Sequence, residues 1–176
     1  TSYVVVMVAT FSRFKDYNLF LDVATEINKK RSDITFLGVG GGPDWDRIDK
    51  RMRDEGISNV ILTGRQSEVE KIIIASDIGL LCTFSEGISN SIIEYMAMAK
   101  PVVVTDTTGG SGELIINGVT GYCLPRDVKM VATVITKLID NKDLSASMGQ
   151  KGRERIEDNF SIERMGKEFV DLYKTV

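Results

Sequence analysis

The sequence predicts an α/β fold: a doubly wound parallel sheet of six strands with helices on both faces and a helical tail at the carboxyl end. Three observations carry the prediction. Apolar runs of strand length alternate with amphipathic segments of helix length as far as Asp140, which is the pattern of repeated strand–helix–strand units. The strand runs are continuously apolar, as strands buried on both faces must be. Beyond Asp140 only helical periodicity remains.

Taken in order, the first strand is Val4–Val8 within "YVVVMVAT", and an amphipathic helix follows over Tyr17–Lys30. The apolar run at Ile34–Val39 is the second strand. "GVGGGPDW" then breaks the chain, and Pro43 is placed to start a helix over Trp45–Glu55. A third strand at Val60–Thr63 leads to a helix at Glu68–Ala75, and a fourth at Ile78–Cys82 leads to one at Ser91–Ala99. The short runs Val102–Thr105 and Gly121–Leu124 complete the sheet. Helices at Val128–Asp140, Leu144–Asp158 and Ser161–Thr175 close the chain. No linker, repeat or low-complexity tract divides it, so residues 1–176 are read as one domain. The opening in mid-strand suggests a domain cut from a longer polypeptide.

Composition excludes several classes of function. The chain has 176 residues and a formal net charge of −3, with a pI near 5.1. Nucleic acid is therefore not an expected partner, because its affinity comes largely from clustered Lys and Arg. No apolar run approaches the ~20 residues that span a bilayer. There is no histidine, which removes the commonest general base and leaves no zinc pattern. Cys82 and Cys123 both lie in apolar runs and read as reduced core residues rather than a disulfide.

In open parallel sheets ligands bind beyond the carboxyl ends of the strands. The segments there are "ATFSRFKD", "GVGGGPDW", "TGRQSE", "TFSEGISNS" and "TDTTGGSGE". They are rich in Gly, Ser and Thr and carry scattered charges, a composition suited to a phosphorylated ligand: backbone N–H groups, helix N-termini and hydroxyls are all available. "GVGGGPDW" is not a dinucleotide fingerprint, since Pro43 takes the place of the third glycine and the motif follows the second strand, not the first. Arg13 and Lys15 directly follow the first strand and could neutralise a diphosphate, or could form a solvated basic turn. Glu86 and Glu94 stand eight residues apart in "SEGISNSIIE", a spacing that chance alone supplies in a chain this rich in glutamate. "SIIE" reads as a capping box in which Ser91 caps the helix and Glu94 reaches back. Glu86, beside Gly87 at a strand end, has no such structural reading and suggests a carboxylate that binds hydroxyls.

The ordered set S-E-G-x5-I-E-x-M-A-x-x-K-P-V-V-V-T, then G-G-x-x-E, then N-G-x-T-G resembles the carboxyl-terminal domain of retaining glycosyltransferases of the GT-B fold. Glycogen synthases and many bacterial mannosyl- and glucosyltransferases belong to that group. The resemblance runs over nearly the whole chain. It implies one Rossmann-like half of a GT-B enzyme that binds a nucleoside diphosphate sugar and transfers a hexose, with retention, to a glycan or lipid-linked acceptor. It implies that Glu86 binds hydroxyls of the transferred sugar and that Glu94 binds the ribose. Backbone groups of Gly87, Ile88, Ser89 and Asn90 would approach the diphosphate, as would Lys15. Gly64 and Arg65 would lie against the base, and Gly40, Gly41 and Gly42 would line the cleft. Thr10 stands where many members carry an arginine, and Arg13 is a candidate substitute. "EYMAMAK" stands for the more frequent "EAMAxG", with Tyr95 and Lys100 as departures.

The resemblance further implies that no cofactor or metal is required and that the acceptor domain is an amino-terminal partner absent from this chain. The chain alone would then transfer sugar poorly. A cytoplasmic location is expected, with any membrane contact made through the absent domain. A nucleotide-sugar epimerase of the same fold and a non-catalytic nucleotide-sugar-binding subunit are the alternative readings.

Overall fold

The computed structural model describes residues 2–105 and 109–174. β1 (Tyr3–Val8), β2 (Ile34–Val39) and β3 (Val60–Gly64) are joined by α1 (Tyr17–Asn28) and α2 (Trp45–Asp54), and α3 (Val69–Ala75) leads out of β3. β4 (Ile78–Leu81), β5 (Val102–Val104) and β6 (Tyr122–Cys123) follow, with α4 (Asn90–Ala97) and the short α5 (Ser111–Leu114) between them. The tail is α6 (Val128–Asp140), α7 (Lys142–Asn159) and α8 (Ile162–Lys174). All six expected strands are present, and their ends differ from expectation by one residue or so. The helix expected over Trp45–Glu55 does begin at Trp45, with Asp44 at its N-cap and Pro43 in the turn just before it. α5, buried in a Gly-rich stretch with no helical periodicity, was not foreseen.

The six strands form one sheet in the order β3-β2-β1-β4-β5-β6, and every pairing is parallel. The chain works outward from β1 to β3, then returns to the other side of β1 with β4. The winding direction therefore changes between β1 and β4. Connections above that point diverge to opposite faces and leave a crevice, the usual ligand position in such sheets. The core is continuous: Val5, Val6, Met7, Ile78, Leu80, Leu81 and Val102–Val104 are all fully buried. Cys82 is buried and Cys123 half-buried, and among the described residues neither is joined in a disulfide.

Two features of the α4 segment explain its departures from the commoner pattern. Tyr95 is fully buried, and its ring fills space that exists because residue 79 is glycine: a Cβ there would lie 2.4 Å from the ring. Its hydroxyl accepts a 2.6 Å hydrogen bond from Val8 N–H, satisfying the last donor of β1 at the edge of the crevice. The residue whose backbone departs from the ordinary is Ala99, not Lys100. Ala99 has φ 52° and follows the α4 C-cap, Met98, where glycine is normally found. α7 packs against this turn: Gly149 approaches so closely that a Cβ there would lie 2.0 Å from Ala99 O.

α7 thus belongs to the domain, with Met148 and Ile156 in the core. α8 does not add to it. Its described side chains from Glu163 to Lys174 are all exposed, including Met165, Phe169 and Leu172.

The left-handed conformation costs an L-residue about 1–2 kcal/mol, part of which glycine forfeits through unfolded-state entropy. Ala99→Gly should therefore stabilise the chain by roughly 0.5–1 kcal/mol. Urea unfolding should show a raised midpoint with an unchanged m-value, and a lowered midpoint would mean that the turn carries no strain.

Candidate functional site

The crevice above β1 and β4 is a cleft of about 610 Å³. One wall comes from the β1–α1 loop (Val8, Ala9, Thr10, Lys15), and the other from Glu86 and the start of α4 (Ile88, Ser89, Asn90, Ser91, Glu94). Gly40, Gly41, Arg65, Gln66 and Val69 close the side under β2 and β3. Nine of the residues that the family resemblance assigns to the site therefore line one cleft. Gly42, expected on the wall with Gly40 and Gly41, does not line it, and neither do Gly64 and Gly87. Arg13 does not line it, and its guanidinium sits 4.9 Å from the centre of the Phe14 ring.

The glycines of "GVGGG" serve contact between loops. Gly40 has φ 141°, and a Cβ on it would lie 2.1 Å from Ala9 O; the corresponding distance from Gly42 to Phe11 O is 2.4 Å. Phe11 N–H donates to Gly41 O at 3.1 Å and Gly40 N–H donates to Gly64 O at 2.9 Å. The β2–α2 loop is thereby pressed backbone-to-backbone onto the β1–α1 loop, which brings Gly40 and Gly41 to the cleft wall. Arg65 lies across Gly41, its Nε 3.2 Å from where a Cβ would be.

Lys15 and Glu86 meet across the switch point. Lys15 bridges Thr83 in antiparallel fashion, and its ammonium forms an ion pair with Glu86 Oε1, both side chains being about 15% exposed. Thr83 Oγ1 donates to Phe14 O at 3.0 Å and lies 3.4 Å from the same Glu86 oxygen. The Glu86 backbone is fixed from the far side, where Gly110 N–H donates to Glu86 O at 2.7 Å. Gly110 can approach because a Cβ would fall 2.8 Å from the Gly87 carbonyl carbon. Gly110 belongs to the loop "TDTTGGSGE", of which residues 106–108 lie outside the described residues. Burial works against the Lys15 charge, and the Glu86 carboxylate works in its favour.

The capping box is not formed. Ser89, not Ser91, is the N-cap of α4, and its side chain caps nothing. It shares a 3.0 Å hydrogen bond with the buried Ser91 hydroxyl. The first N–H groups of α4 are left facing the cleft without a side-chain cap, and Glu94 is free of the structural task the sequence offered it. Burial, followed by the negative charge of Glu70, pushes the Glu94 carboxyl above its ordinary 4.5. Among the described residues no cation or hydrogen-bond donor compensates it. A half-buried carboxylate with unused acceptor capacity on a cleft wall is equipped to take hydroxyl donors from a ligand.

Four supporting residues escaped sequence reasoning: Asp16, Phe84, Tyr95 and Arg126. Of these only Tyr95 stands out in the sequence, as a departure from the commoner pattern; Arg126 lies beside Asp127, which caps α6 by accepting from Met130 N–H at 2.8 Å. Among the described residues no three His, Cys, Asp or Glu side chains are grouped to hold a metal. No described helix is long and apolar enough to cross a membrane.

Residues 2–141 match the family described as glycosyl transferases group 1. The N-acetyl-alpha-D-glucosaminyl L-malate synthase of Bacillus anthracis is 30% identical over 89% of this chain and 40% of its own length. The poly(ribitol-phosphate) alpha-N-acetylglucosaminyltransferase of Staphylococcus aureus is 30% identical over 92% of this chain and 33% of its own. Among solved structures, a mutant S. aureus TarM in complex with fondaparinux, alpha-GlcNAc-glycerol and UDP superposes with a TM-score of 0.90. It is 27% identical, and the match covers 98% of this chain and 35% of that one. Anabaena HepE, in complex with UDP and glucose, shares the fold at a TM-score of 0.90 and 19% identity, over 99% of this chain and 49% of HepE. The chain spans less than half the length of each of these proteins.

Because the folded state raises the Glu94 pKa, it binds more protons than the unfolded chain just above pH 4.5. Stability from this group is present below that range and is lost as pH rises through it. Glu94→Gln should therefore raise the melting temperature at pH 7, and the difference should shrink as pH falls below 4.5. Thermal denaturation of both proteins across this range is the check, and a Gln variant less stable at pH 7 would contradict the account.

Proposed function

The chain belongs to the glycosyl transferases of group 1, and from that membership we propose that it is the donor-binding half of a retaining, metal-independent hexosyltransferase. The observation that carries the reading is the composition of the single cleft at the sheet's switch point. A lysine–glutamate pair lies at one place on its wall, and uncapped helix N–H groups and an uncompensated glutamate lie at another. A nucleoside diphosphate sugar has a matching sequence of groups: sugar hydroxyls, a doubly charged diphosphate and a ribose diol.

In this reading Lys15 and the N–H groups of Asn90 and Ser91 hold the diphosphate. Glu86 accepts from hydroxyls of the sugar, Glu94 accepts from the ribose, and Arg65 with Gly64 flanks the base. In the reaction the bond between the anomeric carbon and the diphosphate oxygen breaks, and the acceptor oxygen bonds to that carbon on the same face. The acceptor hydroxyl proton passes to the departing diphosphate. The transition state is oxocarbenium-like, and negative charge grows on the diphosphate, where the Lys15 ammonium and the helix N–H groups are already placed to stabilise it. These groups supply in protein form the charge that a divalent cation would otherwise bring. The acceptor, a glycan or lipid-linked sugar, binds the half that the longer relatives possess.

Thermal denaturation with UDP, GDP and ADP tests the reading, UDP first because the TarM and HepE structures hold it. Ligand at 100 times its dissociation constant adds about 2.7 kcal/mol, a rise of roughly 5–10 °C at this size. One nucleotide should give that rise, and Lys15→Ala and Glu94→Ala should each abolish most of it. No rise with any of the three would overturn the donor reading. Efficient sugar transfer by this chain alone would overturn the requirement for a second half.

A further inference from the structure

We propose that Arg126 is a positioning residue that sets Lys15 and Glu86 against each other, although it does not line the cleft. Arg126 sits in the connection from β6 to α6, far from both residues in sequence. Its Nε and Nη2 donate to Asp16 Oδ2 at 2.9 and 2.7 Å. Asp16 is the residue after Lys15 and is 5% exposed. Its other oxygen accepts from Leu19 N–H at 3.1 Å and so caps α1, and its own N–H donates to Cys82 O at 2.9 Å. The same guanidinium lies 3.8 Å from the centre of the Phe84 ring, and Phe84 precedes Glu86 by two residues. Phe84 N–H in turn donates to Phe14 O at 3.1 Å.

One rigid planar cation therefore touches the segment that carries Lys15 through Asp16, and the segment that carries Glu86 through Phe84. The contact demands arginine in particular. Only a guanidinium can offer two parallel donors in its plane while laying a face on an aromatic ring. Lys15 and Glu86 come from loops on opposite sides of the switch point, so their mutual placement is not fixed by either loop alone. The Lys15–Thr83 bridge fixes the backbones, and Arg126 fixes the two flanking side chains over it. A cation that merely stapled α6 to the sheet would need only the Asp16 contact. The stacked Phe84 is 48% exposed, so its ring would otherwise be free to swing with the Glu86 turn.

The consequence for ligand binding rests on the donor reading, whereas the positioning itself does not, and the experiment separates them. Urea unfolding of the 176-residue chain, of Lys15→Met, of Glu86→Gln and of the double variant measures the coupling between the two side chains. The cycle is then repeated with Arg126→Gln in all four. Non-additivity is expected in the first cycle and its loss in the second. Equal non-additivity in both cycles, with all four midpoints merely lowered by Arg126→Gln, would make Arg126 a structural staple and overturn the proposal. Additivity in the first cycle would overturn it too, since there would be no coupling to hold.

Should Arg126→Gln alone fail to fold, Asp16→Asn with Arg126→Gln keeps the α1 cap acceptor and orphans no buried charge. The same cycle is then run in that background. In the second arm, the nucleoside diphosphate bound by the wild-type chain should bind Arg126→Gln several-fold more weakly, while its parent nucleoside binds both equally. An equal loss for both ligands would mean general damage and count against the proposal. Loss of coupling in the cycles, with UDP, GDP and ADP all failing to bind wild type, would uphold the positioning role and defeat the donor reading instead.

Discussion

The parallel pairing of β1 with β4 is the constraint on which the remaining structure depends. It is short, with Val5 opposite Ile78 and Val6 opposite Gly79, yet it decides where the winding reverses and where two loops part. Everything at the cleft is built on keeping those loops close after the strands have ended. Lys15 bridges Thr83, Asp16 N–H reaches Cys82 O, and Phe84 N–H reaches Phe14 O. Gly79 lets Tyr95 sit on β4, and Tyr95 returns its hydroxyl to Val8 on β1. A residue that looked like a tolerated oddity is thus part of the seam between the two strands.

The fold was legible because it is specified redundantly. Each strand is a continuous apolar run, and burial on both faces leaves no other stable place for it. Lys15, Glu86, Glu94 and the Gly40–Gly41 pair were legible for a related reason, since strand ends in such sheets are where chemistry collects. What failed was local reading without three-dimensional context. "SIIE" satisfies the capping-box pattern, but the chain turns into α4 at Ser89, so Ser91 enters already helical and binds another serine. Ala99 was overlooked beside the more conspicuous Lys100, because φ is not written in residue type. Asp16 and Arg126 are 110 residues apart, and no periodicity links a loop arginine with a helix cap.

The cleft is also where the molecule departs from its own rules. Elsewhere charged side chains are paired at the surface, as Arg31 is with Asp33 and Arg51 with Asp22 and Glu55. Pairs so exposed contribute little to stability. Within the cleft, Glu94 is partly desolvated and uncompensated, and the α4 N–H groups lack a side-chain cap. Both are costs to the folded state that a ligand with hydroxyls and anionic oxygens would offset. A desolvated, uncompensated carboxylate beside uncapped helix N–H groups on one cleft wall is a usual physical mark of a binding site.

The two glutamates of the cleft therefore stand in opposite electrostatic states. Glu94 is uncompensated, so a ligand gains by arriving. Glu86 is already neutralised by Lys15, so a ligand that used either charge must first replace what the other provides. A diphosphate brought to Lys15 would take over the role of the Glu86 carboxylate, releasing that carboxylate toward neutral hydroxyls. A sugar joined to a diphosphate offers both groups in one molecule, and neither half alone satisfies both residues. Bare diphosphate would leave Glu86 without a donor, and free sugar would leave Lys15 to be shared. The ion pair is thus more than a resting contact. In the donor reading proposed above, it would favour a ligand in which anion and polyol are covalently linked.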